Sequence, residues 1–374
     1  KTDLAGFGKA KKYALISNAR DHALIRNQIV FAMADYVGLR YTPGCVQAEV
    51  YLNHTYNGTY ILQEKIEVGS SRVDINDLEA QTEAVNDRPL SEYAHTGPSK
   101  ATPGQMKYYQ IPNDPDDITG GYLIEYENWT VRYKDEPSAY TTSRSKAIMF
   151  KAPKHASQAQ AQYISGLIQA YENAIFAEDG TDPASGRHYT ELMDFDSLVL
   201  KYMLEEVSKN CDGNQSSQYY YKPADSVSTK MFAGPAWDYD TTFGDFARKT
   251  NTELLNPEGL YLTTRNASRY WWPQLYAKAD FLQGVKAHWA AEYRPAMRIL
   301  CGEEKDPAGK LLSVAEYADL IRASAEMNFT LWPMRQSSEN VASTGKTFQK
   351  NIDYLQRFIE KRLAYLDKEW SSGD

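Results

Sequence analysis

No apolar run in this chain approaches the roughly 18 residues that a membrane-crossing helix needs, so the sequence offers no transmembrane segment. Cysteine is scarce. Cys45, Cys211 and Cys301 are far apart and odd in number, and give neither a disulfide framework nor a zinc spacing. Cys211, with no histidine near it in sequence, reads as a small buried neighbour of Asp212 and not as a nucleophile. His22, His54, His95, His155, His188 and His288 never pair at ligand spacing, so zinc is not expected. A basic excess is missing too: 41 Lys and Arg stand against 49 Asp and Glu, a formal charge of −8 that argues against a nucleic-acid partner. The lysines at Lys9, Lys11 and Lys12 read as a solvated terminal segment. Gly-x-Gly-x-x-Gly, Walker A and Gly-x-Ser-x-Gly sequences are all lacking.

What remains is enough for a large core. At 374 residues, with 42% hydrophobic and 24% charged residues, the chain fits one big unit or two closely joined lobes. Aromatic residues reach 13%, and 28 of them are Tyr. Tyrosine suits sugar or peptide contact, but filling a core is the simpler use. The chain opens at Lys1 with neither Met nor a signal-like stretch, so it reads as a trimmed piece whose start says nothing direct about localisation.

Periodicity sketches the elements. Residues 12–17 read as a short strand, and Asn18 to Asp21 supply turn and cap chemistry for a helix stopped by Gly38. Val46–Asn53 and Thr59–Lys65 read as a hairpin joined by a loop over His54–Gly58. The polar stretch 77–117 has little periodicity and reads as an inserted loop or lid. Gly120-Gly121 launches a strand, Ala147–Pro153 is another, and a helix of about 20 residues follows. Phe195–Lys209 is a strongly periodic helix. Gln218–Lys222 and Lys230–Gly234 then form a hairpin leading into Trp237-Asp238-Tyr239-Asp240. From Pro257 onward the pattern is helical, with Trp271, Trp272, Leu275, Phe281, Trp289, Ile352, Leu355, Phe358, Ile359 and Leu366 as core positions. The expected fold class is α+β. It forms a single domain over 1–374: a strand-rich part over 1–155 carrying the 77–117 insertion, and a mainly helical part over 156–374.

Two stretches carry the chemistry: Glu206 to Asn214, and Gly234 to Asp240. Carboxylates are costly to bury without a cation or hydrogen-bond donors. Asp238 and Asp240 sit among Trp237, Tyr239 and Phe243, where a metal ion is a natural compensating charge. One Asp facing a hydroxyl nucleophile and another holding Mg²⁺ is the minimal kit for phosphoryl transfer. Taken singly, Asp212 is also a plain turn residue and Asp238 and Asp240 a structural turn. Lys151 lies mid-strand ahead of a long helix, as a phosphate-binding lysine does, with Glu172 as its expected helical partner. A lysine facing water explains Lys151 as well, and Lys65 beside Glu64 competes for the role. Lys151 and Asp212 are 61 residues apart, Asp212 and Asp238 26 apart, in the order and scale of protein-kinase parts without His-Arg-Asp or Asp-Phe-Gly.

Short blocks in shared order make the chain resemble the CotH family, the kinase-like spore-coat protein H proteins. They are Tyr13–Ser17 with Arg26 and Asn27, Val50–Asn53 with Gly58–Lys65, Gly120–Glu125, Phe150–Pro153, Glu206 with Asn210 and Asp212, Ser217 with Tyr219–Lys222, and Gly234–Asp240. They span residues 10–245 or so. The resemblance implies an atypical protein-kinase-like fold that binds ATP and Mg²⁺ or Mn²⁺. It implies phosphate transfer to Ser or Thr of a protein partner, and a secreted or surface-associated bacterial protein, as at the spore coat. It makes Asp212 the catalytic Asp, Asp238 a metal ligand with Asp240 beside it, and Lys151 a phosphate ligand. Ser217 stands where a kinase catalytic loop carries a metal-binding Asn, which leaves Asn210 or Asn214 as stand-ins. The residues alone also admit a non-catalytic surface or polysaccharide-binding module, with tyrosines as stacking platforms, and a glycan hydrolase using two carboxylates.

Overall fold

Asn53 and His54 both adopt left-handed backbone, with φ of 49° and 65°. Two such residues make the tight turn that matches strand twist. The hairpin is therefore closed at this pair, and its second strand starts at Thr55, earlier than the expected loop over His54–Gly58 allows. The computed structural model describes residues 1–127, 132–245, 252–264, 268–334, 345 and 347–371. Strands β1 (Thr2–Asp3) and β2 (Lys9–Ala10) pair with each other. Then β3 (Tyr13–Ser17), β4 (Cys45–Leu52) and β5 (Thr55–Glu64) form a three-stranded antiparallel sheet in the order β3-β5-β4. Between β3 and β4 lies helix α1 (Arg26–Tyr36). It starts five residues beyond Asp21 because that carboxylate bonds the N–H groups of Ala23 and Arg26 at 2.9 and 2.8 Å, while Leu24 takes a φ of 62°.

The 77–117 segment is no structureless loop. It holds α2 (Leu78–Ala84), β6 (His95–Thr96) and β7 (Met106–Tyr109), and the two strands extend one edge of the larger sheet. That sheet adds β8 (Tyr122–Tyr126), β9 (Ala139–Thr141), β10 (Ala147–Ala152), β11 (Gln218–Lys222) and β12 (Phe232–Ala233), in the order β12-β11-β8-β10-β9-β7-β6. Strands from both sides of residue 155 thus share one sheet. Its pairings are antiparallel, with Glu125 of β8 opposite Tyr219 of β11 and Met149 of β10.

Helix α3 (Gln158–Phe176) opens on a reciprocal cap between Ser157 and Gln160. After α4 (Tyr189–Leu192) comes α5 (Phe195–Val207), capped by the Asp194 carboxylate on the Ser197 N–H at 2.9 Å. The final third is helical: α6 (Trp271–Tyr276), α7 (Ala279–His288), α8 (Arg294–Cys301), α9 (Val314–Leu331) and α10 (Phe348–Ser371). The expected core positions from Trp271 to Leu366 are all buried in one cluster with α5. The class is α+β, and no helix among the described residues is long and apolar enough to cross a membrane.

Candidate active site

Helix α5 ends where Lys209 turns left-handed, φ 53°, and the chain after it is held by the helix itself. Asn210 donates its side-chain N–H to Glu205 Oε2 at 2.7 Å and accepts the Asp212 N–H at 3.1 Å. Both halves of the amide are engaged. Asn210 therefore positions the loop, and a cation would have to share its oxygen with that N–H. The Asp212 carbonyl in turn accepts from Gln215 and Ser216, at 2.7 and 3.0 Å. Asn214, the other stand-in, donates to the Leu262 carbonyl at 2.8 Å.

The second loop comes back to the same place. Tyr239 is fully buried; its N–H donates to Asn27 Oδ1 at 2.7 Å and its hydroxyl to Glu205 Oε1 at 2.6 Å. Lys201, one helical turn before Glu205, pairs with that carboxylate and donates to the Tyr239 hydroxyl at 2.7 Å. Anchored on both sides of Tyr239, the turn carries Asp238 in left-handed backbone, φ 67°. Asp238 Oδ2 accepts from Ser217 Oγ at 3.2 Å. The residue at the position of the expected metal-binding Asn therefore touches the Asp proposed to hold metal.

The Asp238 charge reaches both Asp212 and Asp240. Burial, then the Asp238 charge, pushes Asp212 up to about 6. Burial and Asp238 likewise push Asp240 up to about 7. Asp238 is raised by burial against the pull of Ser217, Arg132 and Arg20. Mutual repulsion of this kind is what a divalent cation relieves. Among the described residues no three His, Cys, Asp or Glu side chains already stand at ligand geometry. The donor set fits a magnesium-type ion, which needs only one or two protein carboxylates and completes its shell with phosphate oxygens and water. Cys211 contributes no nucleophile: burial and the Asp212 charge hold its thiol well above the usual range, and its sulfur lies 3.1 Å from Thr241 Oγ1.

Lys151 takes a partner other than the expected one. Its Nζ lies 2.9 Å from Glu125 Oε2 and 2.8 Å from Glu136 Oε1. Glu172 instead accepts from Thr142 Oγ1 at 2.9 Å and Trp271 Nε1 at 3.0 Å. Strand alternation is the reason: Ile148 and Phe150 pack into the core with α3, so Lys151 points to the opposite face of the sheet. That face also carries Glu125 and its cross-strand neighbour Tyr219, which feels the Asp238 charge. Lys65 is exposed at the end of β5, beside Tyr41, Pro43 and Pro235.

The family model of the CotH kinase protein matches residues 1–366. This chain belongs to the CotH family. None of the curated proteins compared with it matches. The match reaches well past the 10–245 stretch of motif blocks and takes in the helical third of the CotH chain. That third is tied to α5: Arg362 of α10, fully buried, bonds Glu206 Oε1 at 2.7 Å and the Pro257 and Gly259 carbonyls at 2.9 and 2.7 Å. Sequence reasoning missed Glu205, Lys201, Arg20 and Arg132. The spacing of Lys201 and Glu205 was a signal available in advance, whereas no local pattern points to the two arginines.

Proposed function

We propose that this CotH-family chain is an atypical protein kinase that takes ATP with Mg²⁺ or Mn²⁺ and phosphorylates a Ser or Thr hydroxyl of an exported or surface protein, such as a spore-coat component. The observation that supports the reading is that the Asp238 charge bears on both Asp212 and Asp240, carboxylates that come from two separate loops.

In this reading the acceptor oxygen attacks the γ-phosphorus, the bond to the β–γ bridging oxygen breaks, and ADP leaves with that electron pair. The hydroxyl proton passes to the Asp212 carboxylate. A carboxyl group pushed up to about 6 is still mostly ionised at neutral pH yet more basic than an ordinary one, which suits the task. A bound divalent ion would supply charge neutralisation for the phosphates, with Asp238 and Asp240 as its protein ligands. Ser217 orients Asp238, and Glu205 with Tyr239 fixes both loops. Lys151, set in place by Glu125, offers a cation to the phosphate chain.

The test is transfer of labelled γ-phosphate from ATP to protein by the wild type, Asp212→Ala and Asp238→Ala. The wild type should label an acceptor or itself and both variants should not, with circular dichroism unchanged. Equal labelling by all three would refute the assignment. A screen in which oligosaccharides raise the melting temperature and Mg-ATP does not would favour a glycan-binding module.

A further inference from the structure

Arg72 is buried, 9% exposed, and its guanidinium is used on one side alone. Nη1 takes all its bonds: it pairs with Glu64 and donates to the Phe7 carbonyl at 2.9 Å, the Ser71 carbonyl at 2.8 Å and Ser71 Oγ at 3.4 Å. Nε and Nη2 are buried and have no hydrogen-bond partner among the described residues. These two N–H groups share the edge of the guanidinium that grips two oxygens of one carboxylate or phosphate at once. Burying such an edge unsatisfied is costly, so an orphaned fork calls for an acceptor from outside the chain.

The fork is held ready. The turn over residues 66–75 folds Arg72 back on the end of β5, its N–H on the Gly69 carbonyl at 2.9 Å and the Val73 N–H on the Glu67 carbonyl at 3.2 Å. The guanidinium lies over the Tyr13 ring at 5.3 Å, and the Tyr13 hydroxyl is tied to the Thr2 and Gly8 carbonyls, each at 2.7 Å. Glu64 is engaged on both oxygens, Oε1 with Arg72 and Oε2 with the Gly44 N–H at 2.7 Å. Arg72 lines a cavity of about 100 Å³ together with Tyr41, Thr42, Pro43, Lys65 and Pro235. That is well below the roughly 300 Å³ at which small-molecule sites begin. One acidic group fits, and the rest of its owner must lie outside, over Tyr41, Pro43 and Pro235. Arg72 and Lys65 outnumber Glu64 here, although the whole chain carries a formal charge of −8. A single basic spot on an acidic protein suits one acidic group of a partner protein and disfavours a polyanionic surface such as a membrane or a nucleic acid.

We propose that this pocket anchors an extended acidic segment of a partner protein through one oxyanion, an acidic side chain's carboxylate or a phosphoserine's phosphate, gripped by Arg72 Nε and Nη2. The anchor is independent of phosphate transfer and is tested by binding alone.

The probes are short alanine peptides carrying one phosphoserine, one glutamate or one neutral serine, and inorganic phosphate alone, each titrated into the full chain in a calorimeter. The phosphoserine or the glutamate peptide should bind, the tighter of the two naming the source of the oxyanion, and the neutral peptide should not. Arg72→Lys keeps a positive charge beside Glu64 but removes the fork, so it should weaken the tighter peptide at least about tenfold. Thr42→Glu sets a fixed carboxylate in the pocket wall at a half-buried position and leaves the Arg72 bonds in place. It should weaken the same peptide at least about tenfold with a melting temperature near that of the wild type, which keeps the test decisive if Arg72→Lys does not fold. Equal binding of the neutral peptide, wild-type affinity in either folded variant, or no binding of either acidic peptide overturns the site. Inorganic phosphate bound as tightly as the phosphoserine peptide overturns the protein segment as its occupant. Sedimentation with phosphatidylserine vesicles while both acidic peptides stay inert overturns it as well.

Discussion

The Tyr239 hydroxyl donates to Glu205 Oε1 at 2.6 Å, and this bond ties the turn holding Asp238 and Asp240 to the helix that delivers Asp212. Lys201 completes a buried three-member cluster with them. Every member satisfies another, which is the condition under which buried polar groups hold a geometry. Tyr239→Phe keeps the ring and removes the donor, so it should cost about 1–3 kcal/mol in urea unfolding. Glu205→Ala strands the Lys201 ammonium in the core and should cost more, about 3–5 kcal/mol. Because the cluster positions both loops, Tyr239→Phe should also lower kcat while leaving KM for ATP near the wild-type value. A variant as stable and as active as the wild type would remove the positioning role.

Asp212 stands in an environment that disfavours its charge, so function and stability should part company there. Asp212→Asn should lower phosphate transfer by about 10²–10⁴-fold, the range for loss of a positioned base. In unfolding measurements near pH 8 without metal it should be more stable than the wild type by on the order of 1–3 kcal/mol, since the buried charge is gone. Asp238→Asn should instead shift the divalent-metal dependence of activity to higher concentration. A parallel loss of stability in Asp212→Asn would assign that residue to structure.

Much of this fold is legible in the sequence because it rests on local patterns. The run from Leu198 to Val207 states α5 in its three-and-four spacing, and the apolar positions of the C-terminal helices are buried as expected. The order of Asp212, the hairpin and Asp238 is the sequence pattern behind the proposed site. What escaped is what depends on the third dimension. The sequence suggests a partner for Lys151 on the following helix, but alternation along β10 turns it away from α3 and toward Glu125 on the neighbouring strand. The 77–117 segment hides two short edge strands because Pro, Asn and Asp interrupt any period. Arg20 and Arg132 act on the carboxylates through space, Arg132 from a side chain 64% exposed, and such a role leaves no trace in spacing.

Two lysines compete for the phosphates, and the geometry separates them. Lys151 belongs to a row with Glu125 and Tyr219 on the face that senses Asp238, whereas Lys65 is exposed at the far end of β5. Lys151→Ala should raise KM for ATP and lower kcat/KM by about tenfold or more. Lys65→Ala should stay within about twofold of the wild type, as an exposed substitution away from the reacting groups does. The reverse ranking would move the phosphate site to β5.

The carboxylate cluster also makes stability depend on pH in a direction opposite to that of an ordinary salt-bridged acid. Burial and Asp238 push Asp212 up to about 6 and Asp240 up to about 7, from 3.8 in an unstructured chain. Between those limits the folded chain binds more protons than the unfolded one, so its stability is greatest at the acid end and falls as pH rises toward about 7. A divalent cation favours the ionised forms and reverses the slope. Without metal, the melting temperature of the wild type relative to Asp240→Asn should therefore decline from about pH 5 to about pH 8. Adding Mg²⁺ at about 10 mM should raise the wild-type value more at the upper pH than at the lower, and should act weakly on Asp240→Asn. A magnesium effect equal at both pH values, or equal in the variant, would mean that the ion binds elsewhere.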